Sequence, residues 1–192
     1  MQLRLLGQAA GMFAVTNVDD LVVLALFFGQ AAARRGGPAR VVAGQYLGFG
    51  AILAASVAGA LGAGFLPPAV VPYLGLLPLL LGLRAAWRTW RGGADDEREA
   101  TVEHPGVLTV AAVTFANGGD NIGVYVPVFA TAGAGTLIMF VVVFLVLAAV
   151  WCLVGRFLAT RPSIASALAR WGHVLLPLVL VGIGLAILLR LG

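Results

Sequence analysis

Six long apolar runs, at about 5–28, 41–65, 70–89, 106–130, 135–158 and 172–191, leave this chain few ways to fold. A helix needs ~20 predominantly apolar residues to cross the hydrocarbon core of a bilayer, and most of the chain divides into such stretches. With 61% hydrophobic residues and only 10% charged, the composition agrees. The reading is an integral, all-α, polytopic membrane protein of six transmembrane helices. Arg34-Arg35-Gly36-Gly37-Pro38, Leu66-Pro67-Pro68, the polar stretch 91–105, the turn near Gly133 and Arg161-Pro162-Ser163 separate them, each a loop by its glycine, proline or charge content. The first run is too long for a signal-peptide core and carries Asp19 and Asp20, so it reads as a mature helix.

The net charge of +4 comes from arginine alone, since the chain has no lysine. In a soluble protein that excess points to nucleic acid, but here the arginines flank apolar runs, where they set orientation instead. Loops one, three and five share one side and carry ten arginines, against Arg4 and Arg190 on the other. The positive-inside rule then places both termini outside, in a bacterial-type cytoplasmic membrane. The single cysteine, Cys152, excludes an intrachain disulfide and a thiolate cluster.

The two halves repeat. Leu76-Leu77-Pro78-Leu79 recurs as Leu175-Leu176-Pro177-Leu178 at an offset of 99, and Asn17 and Asp19 recur as Asn117 and Asp120 at offsets of 100 and 101. Residues 1–90 therefore read as one three-helix repeat, 91–105 as a charged cytoplasmic loop and 106–192 as a second repeat. Three is an odd number of crossings, so the second copy is inverted relative to the first, as in many secondary transporters.

Two polar interruptions stand out against this background: Thr16-Asn17-Val18-Asp19-Asp20 in the first run and Asn117-Gly118-Gly119-Asp120-Asn121 in the fourth. A charge at the bilayer centre costs roughly 2.5–3.5 kcal/mol on insertion scales, so intramembrane carboxylates mark function. Helical spacing puts Thr16 on one face with Asp19 and Asp20. Two consecutive glycines and Pro127 predict a bent or unwound fourth run. The inverted repeat would bring the clusters together as an oxygen-rich site near the midplane, from Asp19, Asp20, Asp120, Asn17, Asn117, Asn121 and Thr16, with Gln45 and Tyr125 as further candidates.

The other five acidic residues lie in 91–105, and each arginine lies near a run end, from which it can snorkel to the interface. Nothing in the chain neutralises the three aspartates, which leaves protons or a bound cation. Carboxylate, amide, hydroxyl and carbonyl oxygens suit hard divalent ions. Cys152, Met12 and Met139 read as packing, His173 beside Trp171 as an interfacial anchor, and the 91–105 loop as a solvated linker rather than a metal sensor. Gln45 either reaches the site or makes an interhelical bond, while Gly44 and Gly48 let two helices approach closely. Gly59 and Gly62-Ala63-Gly64 read as packing, and a homodimer through glycine-rich faces is compatible with the composition.

These residues resemble the cadmium-resistance transporter (CadD-like) family of the LysE superfamily. The likeness rests on Thr16-Asn17-Val18-Asp19-Asp20-Leu21, Leu26-Phe27-Phe28, Gly44-Gln45-Tyr46-Leu47-Gly48-Phe49 and Ala116-Asn117-Gly118-Gly119-Asp120-Asn121-Ile122-Gly123-Val124-Tyr125. It implies efflux of divalent metal ions, Cd²⁺ first, with Mn²⁺, Zn²⁺, Ca²⁺ and Mg²⁺ open. The metal is substrate and no cofactor is expected. No Walker-type loop is present, so protons returning through the same carboxylates are the expected counter-ion. An exporter of amino acids or small organic cations is the nearest rival, but no intramembrane arginine offers to hold a carboxylate. An intramembrane aspartyl protease lacks its Tyr-Asp partner here and has Asn117 where that family's signature has glycine. A passive channel would run downhill in either direction.

Overall fold

The structure is a computed structural model that describes residues 2–32, 35–67, 70, 73–74, 76–90 and 106–161, with 181–182, 185, 187 and 188 near the end. Within them lie α1 (Gln2–Thr16), α2 (Asp20–Ala31), α3 (Gly37–Ala63), α4 (Leu76–Trp90), α5 (Val107–Asn117), α6 (Gly119–Ala130) and α7 (Ala134–Leu158). No strand occurs among the described residues. The charged loop 91–105, most of the sixth run at 172–191 including its Leu175–Leu178 repeat, Trp171 and His173 lie outside them.

α3 and α7 are long and apolar enough to cross a membrane alone, at 27 and 25 residues. At 1.5 Å per residue each reaches about 40 Å, against a hydrocarbon core of about 30 Å. α1 and α2 qualify together as a third candidate span, bent by 63°. The chain turns into α3 on Gly36, whose φ of 75° is left-handed, and Pro38 then lies in the first turn of the helix, where its missing N–H costs nothing.

The order of a broken helix pair followed by one long helix occurs twice, as α1–α2–α3 and α5–α6–α7. Packing crosses between the two sets. α3 lies against α5 and α6, α7 against α1 and α2, and α4 against α6. Small residues make the closest seams. A Cβ on Gly44 would come 2.5 Å from Val110 Cβ, and one on Gly48 2.5 Å from the Ala111 carbonyl oxygen, so the expected close approach is made by α3 on α5. Gly155 of α7 meets Leu24 of α2 in the same way, and Gly59 meets Val126, whereas Gly62 has open space.

The interior is aromatic where the two sets meet. Phe13, Phe49, Tyr125, Phe129, Phe140 and Phe144 are almost fully buried in one cluster, with ring centroids 4.9–6.2 Å apart. A second cluster holds Leu24, Phe27, Phe28, Val41, Val110 and Cys152. Cys152 and Met12 are thus packing residues, and Met139 packs beside the first cluster. On α7, Ile138, Val142, Val146, Val150, Leu153 and Phe157 are exposed while Phe140, Phe144, Ala148, Cys152 and Gly155 are buried. The exposed set recurs every three or four residues, the pattern of one helix face turned to lipid.

Candidate functional site

Both polar interruptions are helix breaks. The first run is not one continuous helix, so the expected single face for Thr16, Asp19 and Asp20 is replaced by a break at Asn17–Asp19 with a 63° bend. Asparagine and aspartate side chains compete with the backbone for hydrogen bonds, which favours such a break. The Asn17 amide nitrogen donates back to the Phe13 carbonyl at 2.8 Å, and the Leu21 N–H bonds to Val18 at 3.3 Å rather than to Asn17. The Asn17 carbonyl so released accepts the indole N–H of Trp151 at 2.6 Å. The fourth run breaks at Gly118, between α5 and α6, in accord with the double glycine. A Cβ at Gly118 would collide with the Ile52 side chain of α3. Pro127 is accommodated inside α6.

The two breaks face each other and exchange hydrogen bonds. Asn117 donates its Nδ2 to Asp20 Oδ1 at 2.7 Å and, more distantly, to Asp19 Oδ2 at 3.4 Å. Asn121 donates its Nδ2 to Asn17 Oδ1 at 3.1 Å. Each asparagine of the second motif thereby serves the first. Tyr125, fully buried, ties the same place together: its hydroxyl takes the Asn17 amide at 2.8 Å and lies 2.8 Å from Thr16 Oγ1. Thr16 also donates to the Met12 carbonyl at 2.9 Å.

Asp20 is the first residue of α2 and is 3% exposed. Asp120 lies in the first turn of α6, half-buried, and its Oδ1 accepts the Asn121 N–H at 3.0 Å. Both sit at the positive end of a half-helix. Asp19 occupies the N-cap position of α2 but makes no capping bond with its side chain. Capping therefore does not account for its presence.

Among the described residues, three oxygens in the cluster are buried without a partner: Asp19 Oδ1, Asp20 Oδ2 and Asn121 Oδ1. Such atoms are rare in proteins and costly when left unpaired. Arg4, Arg35, Arg40, Arg84, Arg156 and Arg161 are all exposed. Among the described residues no three His, Cys, Asp or Glu side chains form a ligand cluster on their own. The donor set gathered here is mixed, carboxylate with amide and hydroxyl oxygen.

Gln45 is buried on α3, and its Oε1 accepts the Thr114 hydroxyl of α5 at 2.7 Å. Two residues escape sequence reasoning. Thr114 looks like any small helical residue. Trp151 carried one signal, a polar N–H inside an apolar run that must find an acceptor when buried.

A family model described as cadmium resistance transporter matches residues 13–192, a stretch that contains both motifs and α3. The chain belongs to the cadmium resistance transporter family. It is a transporter and not an enzyme, a membrane protein whose apolar helices suit transmembrane transport of cadmium, and the metal is its substrate. No curated protein and no solved structure matches the chain. The transporter's own residues therefore carry the functional argument.

Proposed function

We propose that this transporter exports divalent metal cations, Cd²⁺ among them, from the cytoplasm through a site shared by its two broken helix pairs. The observation that carries the reading is the set of buried, unpartnered oxygens on Asp19, Asp20 and Asn121. An acceptor-rich cluster with no cationic side chain beside it among the described residues needs a positive ligand, and hard oxygen donors suit a divalent ion. Asp19, Asp20 and Asp120 hold the cation, with Asn17, Asn117, Asn121 and Thr16 completing or orienting the donor set. Tyr125 anchors Thr16 and Asn17 rather than touching the ion.

The full architecture in this reading is six spans in two inverted three-helix repeats, with both termini outside the cytoplasmic membrane. The reciprocal packing of α3 on α5–α6 and of α7 on α1–α2 supports it, since discontinuous helices meeting at a repeat interface are a transporter arrangement. Protons returning through the same carboxylates supply the driving force. The LysE superfamily and its CadD-like branch are the placement that the motifs favour.

The test is uptake of Cd²⁺, Zn²⁺, Mn²⁺, Ca²⁺ and Mg²⁺ into inside-out proteoliposomes containing a metal-sensitive dye, with and without an imposed proton gradient. Asp20→Ala and Asp120→Ala should abolish uptake while leaving the protein in the membrane at normal abundance. Full activity in both variants removes the site assignment, and uptake indifferent to the gradient removes proton coupling.

A further inference from the structure

An amide side chain donates at one end and accepts at the other, so the end left free is decided by what holds its opposite end. Asn17 and Asn121 form a chain in which that decision can be followed. The Asn17 side-chain nitrogen lies 2.8 Å from the Phe13 carbonyl oxygen and 2.8 Å from the Tyr125 hydroxyl. A backbone carbonyl only accepts, so the end of Asn17 that meets Phe13 is its nitrogen. Its oxygen then faces Asn121 and accepts Asn121 Nδ2 at 3.1 Å. The end of Asn121 that remains is therefore its oxygen, and among the described residues that atom is buried without a partner.

The polar atoms of Asn17, by contrast, are all engaged. Its backbone N–H bonds to the Phe13 carbonyl at 3.0 Å, and its own carbonyl, released by the break, takes the Trp151 indole N–H at 2.6 Å. We infer that Asn121 Oδ1 is the neutral oxygen ligand of the transported cation, and that Asn17, pinned by the Phe13 carbonyl, is the positioning residue that aims it. This rests on the reading of Asp20 as a cation ligand. Asn121 is 1% exposed, and an acceptor buried that deeply without a partner costs free energy that a bound cation offsets. The two asparagines, alike in type and both buried, thus divide the work: one touches the ion, and the other acts only through it.

Calorimetric titration of the purified full-length protein with Cd²⁺ tests this division. Asn121→Ala and Asn17→Ala should each raise the Kd by about 10–100-fold, the usual effect of losing a group that orients a metal ligand. If Asn17 acts through Asn121, the double variant should bind within about twofold of Asn121→Ala alone, whereas independent losses would multiply. Asn17→Ser, whose short side chain can keep a backbone bond at the break but cannot span to Asn121, takes the place of Asn17→Ala if that variant does not fold. A spectroscopic signature separates the ligand from a structural partner. With Cd²⁺ at saturation, Asn121→Cys should develop the ultraviolet charge-transfer band of a thiolate–Cd²⁺ bond, the longer metal–sulfur bond making up part of the shorter side chain, and Asn17→Cys should not. Multiplied losses in the double variant, wild-type affinity in Asn121→Ala, no band in Asn121→Cys or a band in Asn17→Cys each overturn the proposal. Wild-type affinity in Asp20→Ala strikes instead at Asp20 as a cation ligand, and this proposal falls with that reading.

Discussion

Two glycines two positions apart on α3 should respond in opposite ways to the same added methyl group. A Cβ on Gly48 would lie 2.5 Å from the Ala111 carbonyl oxygen and 2.8 Å from Thr114 Cβ. Neither neighbour is the far end of a flexible side chain, so α3 and α5 must move apart. A Cβ on Gly50 meets nothing within 4 Å. Alanine gains about 1 kcal/mol over glycine in a helix interior at either position. At Gly48 that gain is outweighed by an overpacking cost of about 1–3 kcal/mol, expected near the upper end because the obstacle is backbone. The two variants should therefore differ by roughly 2–3 kcal/mol, Gly50→Ala being level with or above wild type and Gly48→Ala below it. With about 2–4 °C per kcal/mol for a chain of this size, thermal unfolding midpoints in detergent should separate by roughly 4–12 °C. Gly48→Ala should also disturb the Thr114–Gln45 hydrogen bond, since the methyl presses on Thr114. Equal midpoints for the two variants would refute the α3–α5 seam as described.

Two further variants probe the first break. Trp151→Phe keeps a ring against Phe13, 5.1 Å away between centroids, but leaves the Asn17 carbonyl without its donor; a loss of about 1–3 kcal/mol is expected, read as a lower unfolding midpoint together with a raised KM for Cd²⁺. Tyr125→Phe removes a hydroxyl shared by Thr16 and Asn17, yet each keeps a backbone acceptor, so its cost should be about 1 kcal/mol and below that of Trp151→Phe. A larger loss at Tyr125 than at Trp151 contradicts this ordering.

Much of the candidate site was legible because charge in an apolar run is conspicuous. Asp19, Asp20 and Asp120 announce themselves by the cost of placing them there, and Gly118-Gly119 by the weakness of glycine in a helix. The first break was harder to see. Thr16 to Asp20 fits helical spacing as well as a turn, and what tips the balance is a side chain 134 residues away, the Trp151 indole on the Asn17 carbonyl. Of the two readings of Gln45, in the site or in an interhelical bond, the interhelical bond is present: its Oε1 accepts the Thr114 hydroxyl of α5.

The sequence by itself determined that the chain is built of apolar helices, where polarity interrupts them, and that the interruptions recur at offsets of 100 and 101. Those follow from the local energetics of single residues in hydrocarbon and in helices. The tertiary structure alone decided which amide serves which carboxylate, which oxygens are left without a partner among the described residues, and that Gln45 bonds to Thr114. The Asn117–Asp20 bond joins residues 97 apart, and Asn121–Asn17 residues 104 apart. Hydrogen bonds reach about 3 Å and depend on direction, so a pairing between helices exists only once their crossing and rotation are set. Here the small residues at Gly44, Gly48 and Gly155 set them.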